Sequence, residues 1–378
     1  MRETSTRREW IASATPVAGL FQYNAGASCR DFSALQPTAQ AVVDEAVRKA
    51  ELPGIVAALS RPNCPRFVVR SGWLDIEKRQ PVREDTIFDI RSITKPVTAL
   101  AALILVDRKC LDLDWPVSDA LPEARSSAWA HKVTLRHLLT HTSGLGQQRP
   151  KGFDDLTERR DKRLGDVAQA ILDMPLAGNT GVWQYSSPGY CLAGRMIEVA
   201  AARSFAEFVT DTVLRPLQMS DTSFLPPAHA RNRIASLYQW KEGALALWPR
   251  QLPKRKWVYD SPDFGLYSTA IDLTRLLTAV SSSEFPLFGN NLRTQMLTPI
   301  TTTGVPGLGQ GLGWMIAQTD APRGLLGIRT GCFGHNGSGG SMAWADPATR
   351  TAAVLLTQCF FTDSPAGARF MRLAFGII

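Results

Sequence analysis

Ile90-Arg91-Ser92-Ile93-Thr94-Lys95-Pro96-Val97-Thr98-Ala99-Leu100-Ala101-Ala102-Leu103-Ile104-Leu105-Val106 is the stretch that decides the fold. From Val97 to Val106 no residue is charged and only Thr98 is polar. Such a run reads as a helix buried on most sides. Pro96 belongs in its first turn, where a missing N–H has no partner to lose. The helix therefore begins near Ser92, at the positive end of the peptide dipoles. Lys95, three residues on, shares a face with Ser92. A serine hydroxyl needs a nearby base to become a nucleophile. A lysine serves as one only where burial or a second cation lowers its pKa, and a helix sunk in a core supplies burial. An isolated S-x-x-K also fits a capped helix beside a solvated charge, so the rest of the chain has to decide.

The 378 residues suffice for one large core or two modest ones. Hydrophobic residues make up 44% and charged residues 20%, values of an ordinary globular protein. No stretch approaches eighteen apolar residues, so stable membrane insertion is not expected. The net charge is +8. Its densest run, Arg250-Gln251-Leu252-Pro253-Lys254-Arg255-Lys256-Trp257, is broken by Pro253 and reads as a solvated loop, so no nucleic-acid partner is expected. Cys29, Cys64, Cys110, Cys191, Cys332 and Cys359 form no CxxC pair, which argues against a disulfide framework and a thiolate zinc site. Arg7-Arg8 before Trp10-Ile11, with Ala25-Gly26-Ala27 downstream, resembles a twin-arginine export signal. A periplasmic or secreted protein is the expectation, with a cytoplasmic one as the alternative, and residues 1–30 are set aside as extension or signal.

Thr38 to Glu51 reads as an amphipathic helix, with Val43, Ala46, Val47 and Ala50 on one stripe. Ile55–Leu59 and Phe67–Arg70 read as an antiparallel strand pair across the Pro62/Pro65 turn. Residues 111–250 show helical patterns at Val133–Leu139, Asp166–Leu172 and Tyr190–Ala201. Strand character returns at Gly313–Ala317, Gly327–Thr330, Ser341–Ala345 and Thr351–Thr357, before a helix near Ala366–Phe375. The pattern predicts an α+β fold: one antiparallel sheet built from residues 38–110 and 250–378 and covered by helices, with a mostly helical insertion domain at 111–250.

Three further stretches carry chemical groups. Tyr185-Ser186-Ser187-Pro188-Gly189 leads into a helix. In Gly331-Cys332-Phe333-Gly334-His335-Asn336-Gly337-Ser338-Gly339-Gly340-Ser341, seven of eleven residues are Gly or Ser, which reads as a hairpin turn or a backbone that lets a ligand approach closely. Thr134–Leu145 holds His137 and His141 four residues apart, but Leu138 stands where a metalloprotease helix needs glutamate. A helix ending at Ser143-Gly144 is the better reading, and no metal or other cofactor is expected.

In order and spacing, these stretches together resemble the serine β-lactamase and penicillin-binding superfamily, particularly its class C β-lactamase-like branch with its esterases and DD-peptidases. The resemblance runs over about residues 38–375 and includes Leu214–Met219, Gly265–Thr269 and Gly311–Trp314. S-x-x-K is a signature of such enzymes. The resemblance implies that Ser92 is acylated, that Lys95 is its base or holds the proton network, and that Tyr185 relays a proton to the leaving group. It implies an oxyanion hole from the N–H groups of Ser92 and Ser338. His335, Asn336 and Gly337 would line the substrate pocket where many relatives have Lys-Thr-Gly, and Ser187 would stand where they have the asparagine of Tyr-x-Asn. Serine cannot offer an amide N–H and C=O together, and histidine is at most partly charged near neutral pH. Both departures favour a small-molecule ester or small amide as substrate. A D-amino-acid peptidase or DD-carboxypeptidase, a weak β-lactamase, and a non-catalytic binding protein are the alternatives.

Overall fold

The computed structural model describes residues 32–148, 162–248, 260–360, 362 and 364–376. The stretch at 1–30 that resembles an export signal and the basic run at 250–257 lie outside the described residues. The chain opens with α1 (Gln36–Arg48), then β1 (Gly54–Ser60), β2 (Phe67–Asp75) and β3 (Gln80–Pro81). The Ser92 stretch follows as a 3₁₀ turn, Arg91–Ile93, running into α2 (Thr94–Asp107). Next come α3 (Leu135–Leu139), α4 (Leu164–Leu172) and α5 (Ser187–Ala201), and later α6 (Ala270–Val280). Strands β4 (Thr301–Thr302), β5 (Leu308–Gln310), β6 (Met315–Ala317), β7 (Phe333–Asn336), β8 (Met342–Asp346) and β9 (Thr351–Thr357) precede the closing helix α7 (Ala366–Ala374).

Among the described residues the sheet has nine strands in the order β3-β2-β1-β9-β8-β7-β6-β5-β4, every neighbouring pair antiparallel. Its centre joins the two ends of the chain, with Val56 opposite Leu356 and Ala58 opposite Val354. Alternation sorts the side chains. Ile55, Ala57, Leu59 and Leu355 face α1 and α7, with Val43 and Phe370 in the same cluster. Val56, Ala58, Val354 and Leu356 face the other way, into a core shared with α2, α4, α5 and α6. Twelve of the fourteen α2 residues are buried, as an apolar helix with no polar face requires. This is the α+β arrangement of an antiparallel sheet flanked by helices, with a mostly helical region beside it.

Four local readings need correction. Gly327–Thr330 is not a strand. A short helix, Arg323–Leu326, ends there on Gly327 at φ +70°, and the strand forms further on as β7. Four of the eleven residues of the glycine-rich stretch are thus strand. Gly334 lets the Trp344 indole lie across it, since a Cβ there would come within 2.5 Å of the ring. The 134–145 helix stops at Leu139 rather than at Gly144, and His141 takes a left-handed φ of +58°. The 111–250 region also contains a hairpin, Tyr238–Lys241 with Ala244–Leu247, which pairs in parallel with Cys359–Phe360. Finally, Cys64 is disulfide-bonded, so one bridge is present although no framework is. Cys110, Cys191, Cys332 and Cys359 are free thiols.

Candidate active site

The nucleophile turn is set by packing on both sides. Ile90 N–H donates to the Leu266 carbonyl, and Arg91 takes the left-handed φ of +50°, a conformation disfavoured for a residue with a Cβ. Asp89 holds it there. Its carboxylate accepts from the Arg91 N–H at 3.2 Å and pairs with the guanidinium at 2.9 Å. The guanidinium also lies 4.4 Å from the Phe360 ring centroid. Gly337, at the end of β7, passes so close that a Cβ would come 2.6 Å from the Ile90 carbonyl oxygen. Sheet and nucleophile turn therefore touch backbone to backbone.

Lys95 is 0% exposed and donates to Ser92 Oγ at 3.0 Å and to the Asp263 carbonyl at 2.9 Å. The second acceptor is fixed because the 262–266 segment is stitched to α2. Thr98 Oγ1 donates to the Pro262 carbonyl at 2.6 Å, and Leu266 N–H donates to Thr94 Oγ1 at 3.1 Å. The ammonium sits 4.9 Å from the Tyr185 ring centroid and 5.7 Å from that of Tyr190. Both faces offer electron density to a cation that no carboxylate neutralises among the described residues.

Tyr185 is positioned by His141. The two rings lie 4.4 Å apart, and His141 Nδ1 accepts from the Ser186 N–H at 3.0 Å. Nδ1 is therefore unprotonated, and the neutral ring carries its proton on Nε2. Burial first, then the cation of Lys95, pushes the His141 pKa well below its usual value. Ser186 accepts from the Gly189 N–H and caps α5, and Ser187 N–H donates to Gln147 Oε1 at 3.2 Å. His335 is 2% exposed, and its Nδ1 donates to the Asn336 carbonyl at 2.8 Å. Its proton is thus on Nδ1, and the Nε2 lone pair is buried without a partner. Burial, then the Lys95 cation, lowers its pKa to about 3, so the imidazole is neutral at ordinary pH. Asn336 spends its side-chain oxygen on the Trp344 indole at 2.7 Å.

A cavity of about 670 Å³ opens above Ser92. It brings together Ser92, Tyr185, Ser187, His335, Asn336, Gly337 and Ser338, with Lys95 beneath them. Sequence reading missed its other walls: Arg91 and Gln147, and the apolar Trp248, Phe264, Met315 and Phe360. Trp248 and Phe360 meet edge to face at 5.2 Å because the parallel pairing of the missed hairpin sets them side by side. His141 was read only as a failed zinc ligand, and its ring contact with Tyr185 had no local signal. Among the described residues no group of side chains could hold a metal ion, and no helix is long and apolar enough to cross a membrane.

The family described as Beta-lactamase matches residues 39–375. Esterase EstB of Burkholderia gladioli is 32% identical over 282 residues, covering 67% of this chain and 72% of that protein. Penicillin-binding protein 4 of Amycolatopsis lactamdurans is 29% identical over 308 residues, covering 75% and 76%. Among solved structures, that of EstCE1, "a hydrolase with promiscuous acyltransferase activity", superposes with a TM-score of 0.82 at 21% identity, covering 91% of this chain and 99% of the other. A class C beta lactamase from Rhodobacter sphaeroides gives 0.69 at 22%, covering 88% and 96%. At those identities the solved structures speak for the fold, and the sequence matches speak for descent. With nearly the whole described chain matched, and a relative above 30% identity over most of its length, the chain belongs to the beta-lactamase family.

Proposed function

We propose that this protein is a serine hydrolase acting through an acyl-enzyme on Ser92, with uncharged carboxylic esters as its preferred substrates. Ser92 Oγ attacks the carbonyl carbon, and its proton passes to Tyr185 or to Lys95 once that amine has given up its own proton. The N–H groups of Ser92 and Ser338 hold the developing oxyanion. Collapse expels the alcohol, which takes up the proton, and water then attacks the ester on Ser92 and releases the acid. Lys95 Nζ at 3.0 Å from Ser92 Oγ supports the first step. Tyr185, ring-packed on Lys95 and His141, is the group that can pass protons between serine, leaving group and water.

The observation that carries the ester reading is His335. A neutral ring with a buried, unpartnered Nε2 accepts a hydrogen bond, and it repels rather than anchors a substrate carboxylate. Arg91, the cation nearest in the wall, is already engaged by Asp89 and Phe360. The Trp248, Phe264, Met315 and Phe360 wall suits an apolar acyl or alkoxy group. Similarity to Esterase EstB points the same way, and similarity to penicillin-binding proteins keeps peptides in view. The test is one enzyme preparation assayed against p-nitrophenyl esters, D-amino-acid anilides and nitrocefin. Turnover of the esters well above the other two is expected, and preferential turnover of a carboxylated substrate contradicts the reading. We also propose export. The disulfide at Cys64 fits an oxidising compartment, and cell fractionation that finds the protein only in the cytoplasm contradicts it.

A further inference from the structure

A second cavity lies at the other end of the sheet. β1 leaves the catalytic end at Gly54, whose carbonyl accepts from Thr357 Oγ1 at 2.8 Å, and reaches Ser60 about 20 Å away at ~3.3 Å per residue. There a cavity of about 410 Å³ opens beside α6. Arg66, Arg275 and Arg350 line it, together with Thr278, Ser282 and Glu284, and it shares no wall with the Ser92 cavity.

Three guanidinium groups on one cavity repel each other unless something negative lies between them. Arg275 is answered by Asp272 at 2.8 Å and donates to the Gln218 carbonyl at 2.6 Å. Neither Arg66 nor Arg350 pairs with a carboxylate among the described residues. Arg350 has only a long contact, 3.5 Å, to Ser282 Oγ, and its Nε is buried without an acceptor. Its φ of +54°, in the turn before β9, is a conformation that residues with a Cβ avoid. Thr278 Oγ1 is also buried without a partner. Partial desolvation at the cavity wall and the cation of Arg275 lower the pKa of Arg66, while Asp272 and Glu84 oppose that shift. Among the described residues Glu284 is the one carboxylate in the wall, so the cavity keeps an excess of cations and two unmet polar atoms.

We propose that this cavity is a binding site for a phosphate-class oxyanion, inorganic phosphate or a phosphate monoester, held by Arg66 and Arg350 with Thr278 Oγ1 donating. A guanidinium fork matches two phosphate oxygens at once, and a tetrahedral dianion has oxygens left for a third donor. The site is independent of hydrolysis and remains if the ester reading fails.

The test is calorimetric titration of inorganic phosphate into the full chain, with chloride balancing ionic strength. One saturable site is expected in the wild type and in Ser92→Ala. Arg66→Ala and Arg350→Gln should each weaken it at least about tenfold, and Thr278→Val several-fold. Arg66 is exposed, so Arg66→Ala keeps the fold even if Arg350→Gln does not. A parallel arm sediments the protein with phosphatidylcholine vesicles with and without phosphatidate. Capture that needs phosphatidate and is lost in Arg66→Ala assigns the phosphate to a lipid headgroup; free phosphate binding without capture assigns it to a soluble ligand. Neither response in the wild type, or responses that Arg66→Ala leaves unchanged, overturns the proposal.

Discussion

Lys95 has two acceptors, Ser92 Oγ and the Asp263 carbonyl, and two aromatic faces around its nitrogen. Its role depends on being able to lose a proton. Lys95→Arg keeps the charge and much of the length but cannot deprotonate, so turnover should fall below detection while circular dichroism stays native. Retained turnover removes Lys95 from the proton path. Tyr185→Phe keeps the ring on His141 and removes only the hydroxyl. The expected result is a drop of about 10²–10⁴-fold in kcat with KM little changed; a rise in KM alone makes Tyr185 a binding residue. Ser92 and Lys95 were legible because three residues of helix bring two chemical groups to one face. The neutral state of His335 was not, because it rests first on burial, which only the folded chain supplies, and then on the charge of Lys95, 240 positions away in sequence.

At the scale of elements, the site depends on close backbone approaches that only glycine allows. Gly337→Ala puts a Cβ 2.6 Å from the Ile90 carbonyl, pushing β7 off the nucleophile turn. Gly313 lies at φ +88°, and its Cβ would meet that of Ala99 on α2 at 2.2 Å. Each substitution should cost about 1–3 kcal/mol in denaturant unfolding. Gly337→Ala should also slow acylation more than its stability loss explains, and an unchanged acylation rate argues against that contact. The helices α1, α2 and α7 and the strands β1 and β9 were legible from period and composition. The strand β7 was not legible from composition, because Gly334 and the glycines that flank the strand read as a turn until Trp344 is known to lie across Gly334. Nor was the Tyr238–Leu247 hairpin, whose alternation lacks β-branched residues and whose partner strand is more than a hundred residues away.

At the scale of the whole molecule, two buried neutral histidines tie stability to pH. His141 and His335 both have folded-state pKa values below the usual 6.5, His335 at about 3. An unfolded chain takes up these protons below about pH 6.5 while the folded chain refuses them, so stability is full above that value and falls as pH drops towards 3. Denaturant unfolding between pH 6.5 and 4.5, above most of the carboxylate range, should show this loss, and His335→Gln should reduce its slope by up to about 1.4 kcal/mol per pH unit. A slope unchanged by that substitution means His335 titrates normally. The central claim concerns one bond, and the mass of the intact protein reads it directly. Incubation with a fluorophosphonate, followed by intact-mass and peptide mass spectrometry, should show one adduct per chain, located on Ser92 and absent from Ser92→Ala. An unmodified wild type, or an adduct that persists in Ser92→Ala, contradicts the account.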